Sequence, residues 1–315
     1  MTTPAATVEL TRSPSELAGE APHLARRLLR RADGAFGVAI MIVFVLLAIL
    51  PDVLVGPLQT AVTATGPRLA APTAAYPFGT DELGRSILNL TVHAARISMV
   101  IGLLATVITI AIGAVLGVVS GYVGGWVDTI AMRISDFFLV IPTFVLAIIL
   151  TALIRDALGS GTKELFGIRF GLIAIVIVIG ITSWSSTARI IRSQTLSLKE
   201  RAFVDRARVI GAGSAHIMLR HILPNVVNLI VANAVLTFAG AVLTETTLSF
   251  VGLGDPFQPS WGQLLDAARE VGAASLGAWW YLLPPGVCIV LVVFAFTLVG
   301  NALDALLNPK LQGHR

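Results

Sequence analysis

Apolar residues run along this chain in long blocks and do not alternate with polar ones. Six blocks approach the roughly 20 residues that a helix needs to cross the hydrocarbon core of a bilayer. They lie at 34–54, 97–119, 137–154, 170–184, 225–243 and 281–303. The first carries no charge before Asp52, and the second carries none. The fourth is the shortest and can borrow a turn from 185–191. The sixth starts beside Pro284 and Pro285. The pattern predicts an all-α membrane protein with six transmembrane helices.

The segments between the blocks are unequal. Residues 51–95 form a long connection rich in Pro, Ala and Thr, and 250–280 form a second long one. Within the latter, 261–271 suits a short helix capped by Ser260. The link 120–136 is short and carries Trp126, Asp128, Arg133 and Asp136. That mix predicts a surface helix leading into the third span. Four regions follow: a polar leader 1–33, a first helix with its long loop 34–95, a core 96–309, and a tail 310–315. No internal repeat stands out.

Composition supports the bilayer reading. Of 315 residues, 56% are hydrophobic and 13% charged, whereas soluble domains average about 25% charged. The formal charge of +4 would suggest nucleic acid in a soluble protein. Here the basic residues flank the apolar blocks, so membrane topology explains them and no nucleic-acid partner is expected. With both termini cytoplasmic, fifteen Lys and Arg fall inside and seven outside, together the 22 of the sequence. The inner set includes Arg12, Arg26, Arg27, Arg30, Arg31, Arg133, Arg189, Arg192, Lys310 and Arg315. The outer set includes Arg68, Arg85, Arg96, Lys163 and Arg269. The leader is too long for an ordinary signal region, so the first span is expected to be an uncleaved anchor. Cys288 is the one cysteine and reads as a small hydrophobe.

The longest basic segment on the inner side is 189–224, and it has internal order. Phe203, Ala207 and Ile210 fall on one helical face, with Arg201, Asp205 and Arg208 opposite. Gly211 and Gly213 permit the positive φ of a helix stop. Ser214 can cap a second helix, whose apolar face would be Ala215, Met218, Leu219 and Ile222. Pro224 closes the segment. A helix, glycine turn and helix with a charged rim fits either anionic lipid headgroups or a cytoplasmic protein, and periodicity does not separate the two.

Recognisable enzyme chemistry is missing. A phosphate-binding G-x-x-x-x-G-K-[ST] is absent, because Lys163, Lys199 and Lys310 follow no glycine. There is no H-E-x-x-H or G-x-S-x-G. His23, His93, His216, His221 and His314 are scattered, so no metal site is expected. Glu245 lies near the outer end of the fifth span, where a carboxylate is costly; it reads as a ligand of the following turn or as a path residue. Asp81, Glu82 and Arg85 form either a solvated, self-paired loop or a contact for an external protein. Trp261, Trp279 and Trp280 read as interfacial anchors.

The stretch AFVDRARVIGAGSAHIMLRHILPN at 202–225 resembles the cytoplasmic EAA loop of permease subunits of ABC importers. That motif sets an acidic residue, two small residues, a glycine and a Leu-Pro pair at fixed spacing. They fall here on Asp205, Arg206, Ala207, Gly211, Leu223 and Pro224, with Ala212 and Gly213 beside the glycine. Asp205 replaces the usual Glu, and Arg206 the usual first Ala. YPFGTDELGR at 76–85, ARIS at 95–98, TLSFVGLG from Thr247 and PSWG from Pro259 are similar to the dipeptide, oligopeptide and nickel permeases. Ser86 stands where an acidic residue is usual. The chain looks like the second of the two paired subunits, and the resemblance covers about 76–309.

The resemblance implies a type I importer-like permease fold in the inner membrane of a prokaryote. It implies a related permease subunit, a cytoplasmic ATP-binding subunit and an extracytoplasmic substrate-binding protein as partners. ATP and Mg would be used by the ATPase, with no cofactor on this chain. Asp205 would face a basic residue of the ATPase, and peptides would be the cargo, with nickel chelates or other small solutes as the alternative. Two other classes remain: an ion-coupled secondary transporter, which needs a charged site inside the spans, and a membrane-embedded hydrolase. The near absence of charge from the second, fourth and sixth blocks weighs against the first.

Overall fold

The computed structural model describes residues 25–158, 164–165 and 168–307. Arg12, His23, Lys163, Lys310, His314, Arg315, most of the leader and the tail lie outside the described residues. The helices are α1 (Ala32–Ile49), α2 (Pro51–Val55), α3 (Ile87–Val123), α4 (Gly125–Val140) and α5 (Thr143–Leu158). After them come α6 (Phe170–Lys199), α7 (Ala202–Val209), α8 (Ser214–Leu253), α9 (Trp261–Glu270) and α10 (Trp279–Leu307). One small antiparallel pairing, Glu164–Leu165 with Ile168–Arg169, precedes α6.

Among the described residues, five helices are long and apolar enough to cross a membrane: α1, α3, α6, α8 and α10. A sixth crossing arises if α4 and α5, bent by 95°, count as one. The third block is therefore not a straight helix. Pro142 interrupts it, and Ile141 before it is extended (φ −76°, ψ 132°), because a proline ring disfavours helical geometry in the preceding residue. The helix expected over 120–136 forms as α4 and turns at this break.

Other boundaries shift for identifiable reasons. The first span stops at Ile49, because Pro51 starts a separate turn. The second starts at Ile87, ten residues before the apolar block, and Ser86 Oγ accepts the Asn89 N–H at its first turn. Arg96, expected on the outer side, lies inside α3 and donates to the carbonyls of Ala48 and Ile49, at 3.1 and 3.3 Å. The fourth span continues to Lys199, so Arg189 and Arg192 belong to it and not to a loop. The fifth starts before Pro224. A π turn at Met218–Ile222 widens the helix just where the proline ring would otherwise press on the carbonyl of residue 220.

The tightest pairing joins α3 and α6. Gly113, Gly117 and Gly121 recur every fourth residue along α3. A Cβ on them would stand 2.7 Å from Thr187 Cβ, 2.7 Å from the Ala188 oxygen and 2.8 Å from Thr195 Cβ, respectively. Small residues let the two backbones approach this closely, which favours association in a solvent as apolar as the side chains. Beyond this seam, Ile101, Leu172, Ile175 and Ile179 fill the middle of the bundle. Phe44, Ile87, Leu90, Trp261 and Tyr281 fill one end. Tyr122, Ile191, Leu198, Val204 and Ile222 fill the other. Trp261 is thus no interfacial anchor: it is fully buried, and its indole donates to the Thr91 carbonyl at 3.0 Å.

Candidate functional site

The end carrying 200–224 holds the most distinctive surface. After α6 stops at Lys199, the chain turns and α7 starts at Ala202 with Asp205 in its first turn, where a carboxylate complements the positive helix end. Val204 and Ala207 are buried against Tyr122, Ile191, Leu198, Ile217 and Ile222. The apolar face thus centres on Val204 and Ala207. Ile210, expected on it, is 83% exposed, and Val209 is 87% exposed. Asp205 projects outward and takes a hydrogen bond from Arg208 Nη1 at 3.1 Å. Arg206 is also exposed.

Gly211 ends α7 by a Schellman turn. Its N–H bonds to the Arg208 carbonyl at 3.0 Å, and the Ala212 N–H reaches back to Ala207 at 2.9 Å. Gly211 has φ +87°, with open space where a Cβ would stand; the constraint is conformational. Gly213 does not share it, since its φ is −70°, and it is Gly213 that precedes α8 while Ser214 makes no side-chain cap. The second apolar face also moves. Ile217 and Ile222 are buried, while Ala215 and Leu219 are exposed, because the π turn offsets the ideal helical spacing. Leu223 and Pro224 lie within the continuous α8. Val209 and Ile210 leave an apolar tip beside Asp205, Arg206 and Arg208 on the same helix. Exposed apolar residues with a polar rim mark an interaction site.

The part of α6 that leads into this element is held by α4, and the element itself meets α3. Arg192 Nη2 donates to Asp128 Oδ2 at 2.6 Å, and Arg189 pairs with Asp136. Tyr122, on the last turn of α3, lies between Lys199 and Arg208. These pairings are not legible in the sequence, although Arg189 and Arg192, with Asp128 and Asp136 in the preceding link, all stand out as charges beside apolar blocks.

The opposite end is closed on itself. Asp81 is fully buried. It accepts from the backbone N–H of Leu83 and Arg85, at 2.9 and 2.8 Å, and from Arg85 Nε at 2.6 Å. Asp81 and Arg85 therefore fasten their own turn, and Asp81 is not presented to an external protein. Glu82 accepts from Tyr281 Oη at 2.8 Å, tying the turn to α10. Glu245 is fully buried, and accepts from Ser98 Oγ at 3.1 Å and Ser249 Oγ at 2.8 Å. Ser98 Oγ also accepts the Trp261 N–H at 3.2 Å. Glu245 thus joins α3 to α8, and through Ser98 it reaches α9. The Ser260 cap forms as expected, taking the Gln263 N–H at 3.3 Å. No group of three or more His, Cys, Asp or Glu suited to a metal occurs among the described residues.

Residues 113–313 match the family of binding-protein-dependent transport system inner membrane components. A Brucella suis biovar 1 protein named as a peptide transport system permease is 33% identical over 291 residues, covering 91% of each chain. A second protein from that organism, named as a peptide permease, is 35% identical over 244 residues, covering 77% of this chain and 76% of its own. The dipeptide transport system permease protein DppC of Alkalihalophilus pseudofirmus is 35% identical over 288 residues, covering 91% of this chain and 89% of its own.

Proposed function

The chain belongs to the family of binding-protein-dependent transport system inner membrane components, and from that premise we propose that it is one of two paired membrane subunits of an ATP-driven peptide importer. The end carrying α7 faces the cytoplasm and docks on an ATP-hydrolysing subunit. A binding protein delivers peptide to the opposite end, and the path runs between this chain and its related partner. ATP and Mg belong to the ATPase. This chain performs no bond chemistry and supplies half the path and one docking element.

The apolar tip at Val209 and Ile210 carries the proposal. It stands free of the bundle, while the other face of the same helix is locked through Val204 and Ala207 to α3 and α6. An element gripped on one side and bare on the other can pass on displacement. ATP binding would draw the two docking elements together and open the path outward, and hydrolysis would reset it. Such switching needs rigid parts with two discrete arrangements. The peptide cargo draws on the names of the relatives.

The test is purification of the tagged chain in mild detergent with its partners retained. A co-purifying ATPase, stimulated by peptide-loaded binding protein, is expected. Absence of any ATP-hydrolysing subunit would overturn the proposal.

A further inference from the structure

Tyr122 occupies a position that docking alone does not explain. It is buried on the last turn of α3, among Ile191, Leu198, Val204 and Ala207. Two cations from two different elements flank its ring: Lys199 Nζ from α6 at 5.9 Å and Arg208 Cζ from α7 at 5.6 Å. An aromatic face attracts cations at this range, so one ring holds two elements that would otherwise present like charges to each other. Arg208 also binds Asp205 at 3.1 Å, which places Tyr122 one side chain away from the docking surface.

Behind Tyr122 lies a rigid path. α3 has 37 residues and is about 55 Å long. Its Gly113, Gly117 and Gly121 seam fixes it to α6 with no room for even a methyl group. Farther along, Ser98 on the same helix meets Glu245 and the Trp261 N–H.

We propose that Tyr122 is the positioning residue that ties the docking element to α3, so that displacement of α7 travels along α3 to the Ser98–Glu245 contact. This rests on the importer reading above. Held near one end by Tyr122 and farther along by Ser98, α3 gives that displacement one continuous helix to follow.

The test uses the complete complex in proteoliposomes with peptide and binding protein. Two rates are compared: basal ATP hydrolysis, and the stimulation of hydrolysis by peptide-loaded binding protein. Tyr122→Leu keeps an apolar side chain and removes the aromatic face. It should lower stimulation and uptake about tenfold while basal hydrolysis stays within about twofold. Tyr122→Phe, which keeps the face and loses only the hydroxyl, should lose less of both than Tyr122→Leu. Unchanged stimulation in Tyr122→Leu, or an equal loss in Tyr122→Phe, overturns the proposal. Should Tyr122→Leu not assemble, Tyr122→Met carries the test, as it also removes the aromatic face, with a drop of about threefold or more expected and an unaltered ratio overturning the proposal. Hydrolysis by the unmodified complex is read first; its absence removes the importer reading, and this inference with it.

Discussion

Arg192 and Asp128, 64 residues apart, meet through paired hydrogen bonds, Nη2 to Oδ2 at 2.6 Å and Nε to Oδ1 at 2.5 Å. This two-pronged geometry is the strongest form of a charged pair, and it clamps the first turn of α4 to α6. Both side chains are partly exposed, which tempers the energy. Asp128→Asn should destabilise the protein by about 1 kcal/mol, read as a lower midpoint of thermal unfolding in detergent. A midpoint equal to that of the parent would show that the clamp adds nothing.

The α3–α6 seam is expected to be intolerant. Gly117→Leu places side-chain atoms where the Ala188 carbonyl and Ile191 already stand. Overpacking of this kind costs about 1–3 kcal/mol, and the variant should reach the membrane in reduced folded yield. Gly240→Ala is the control, since a Cβ there meets nothing within 4 Å. Equal yields for the two variants on size-exclusion chromatography would refute the seam.

Glu245→Ala should loosen the end opposite α7. It strips the acceptor from Ser98 and Ser249 in a fully buried place, and orphaned buried donors cost about 1–3 kcal/mol. Limited proteolysis should cut the 250–280 segment faster in the variant than in the parent. Identical digestion would mean that the serines find other partners.

Ile210→Glu should leave the fold intact, because the side chain is 83% exposed. It should weaken retention of the ATPase about tenfold or more, as charges in a desolvated interface centre do. Full retention would place the docking contact elsewhere on the element.

The helical class and the helix, glycine turn and helix of 202–224 were legible in the sequence because the bilayer imposes long apolar blocks, and because an acid, a glycine and a Leu-Pro pair stand at fixed spacing. The break at Pro142 was less so, since hydropathy runs unbroken through Ile141 and Thr143 and only the proline marks it. The extension of α6 to Lys199 was hidden by its charges. Arg189 and Arg192 look like loop residues until Asp136 and Asp128 are seen beside them. Asp81 reads as exposed because nothing local shows that its carboxylate folds back onto its own backbone. The offset of the buried face in α8 depends on a π turn, which a periodicity of 3.6 does not anticipate.

The proposed function is ATP-driven peptide uptake through a docking element that turns at Gly211. Its most direct measurement is uptake of labelled peptide by proteoliposomes holding this chain, its paired subunit, the ATPase and the binding protein, with the parent beside Gly211→Val. A β-branched residue resists the φ of +87° found there. Uptake should require ATP, ignore a proton gradient, and fall to background in Gly211→Val while the amount of inserted protein stays the same. Uptake driven by a proton gradient without ATP, or undiminished in Gly211→Val, would contradict it.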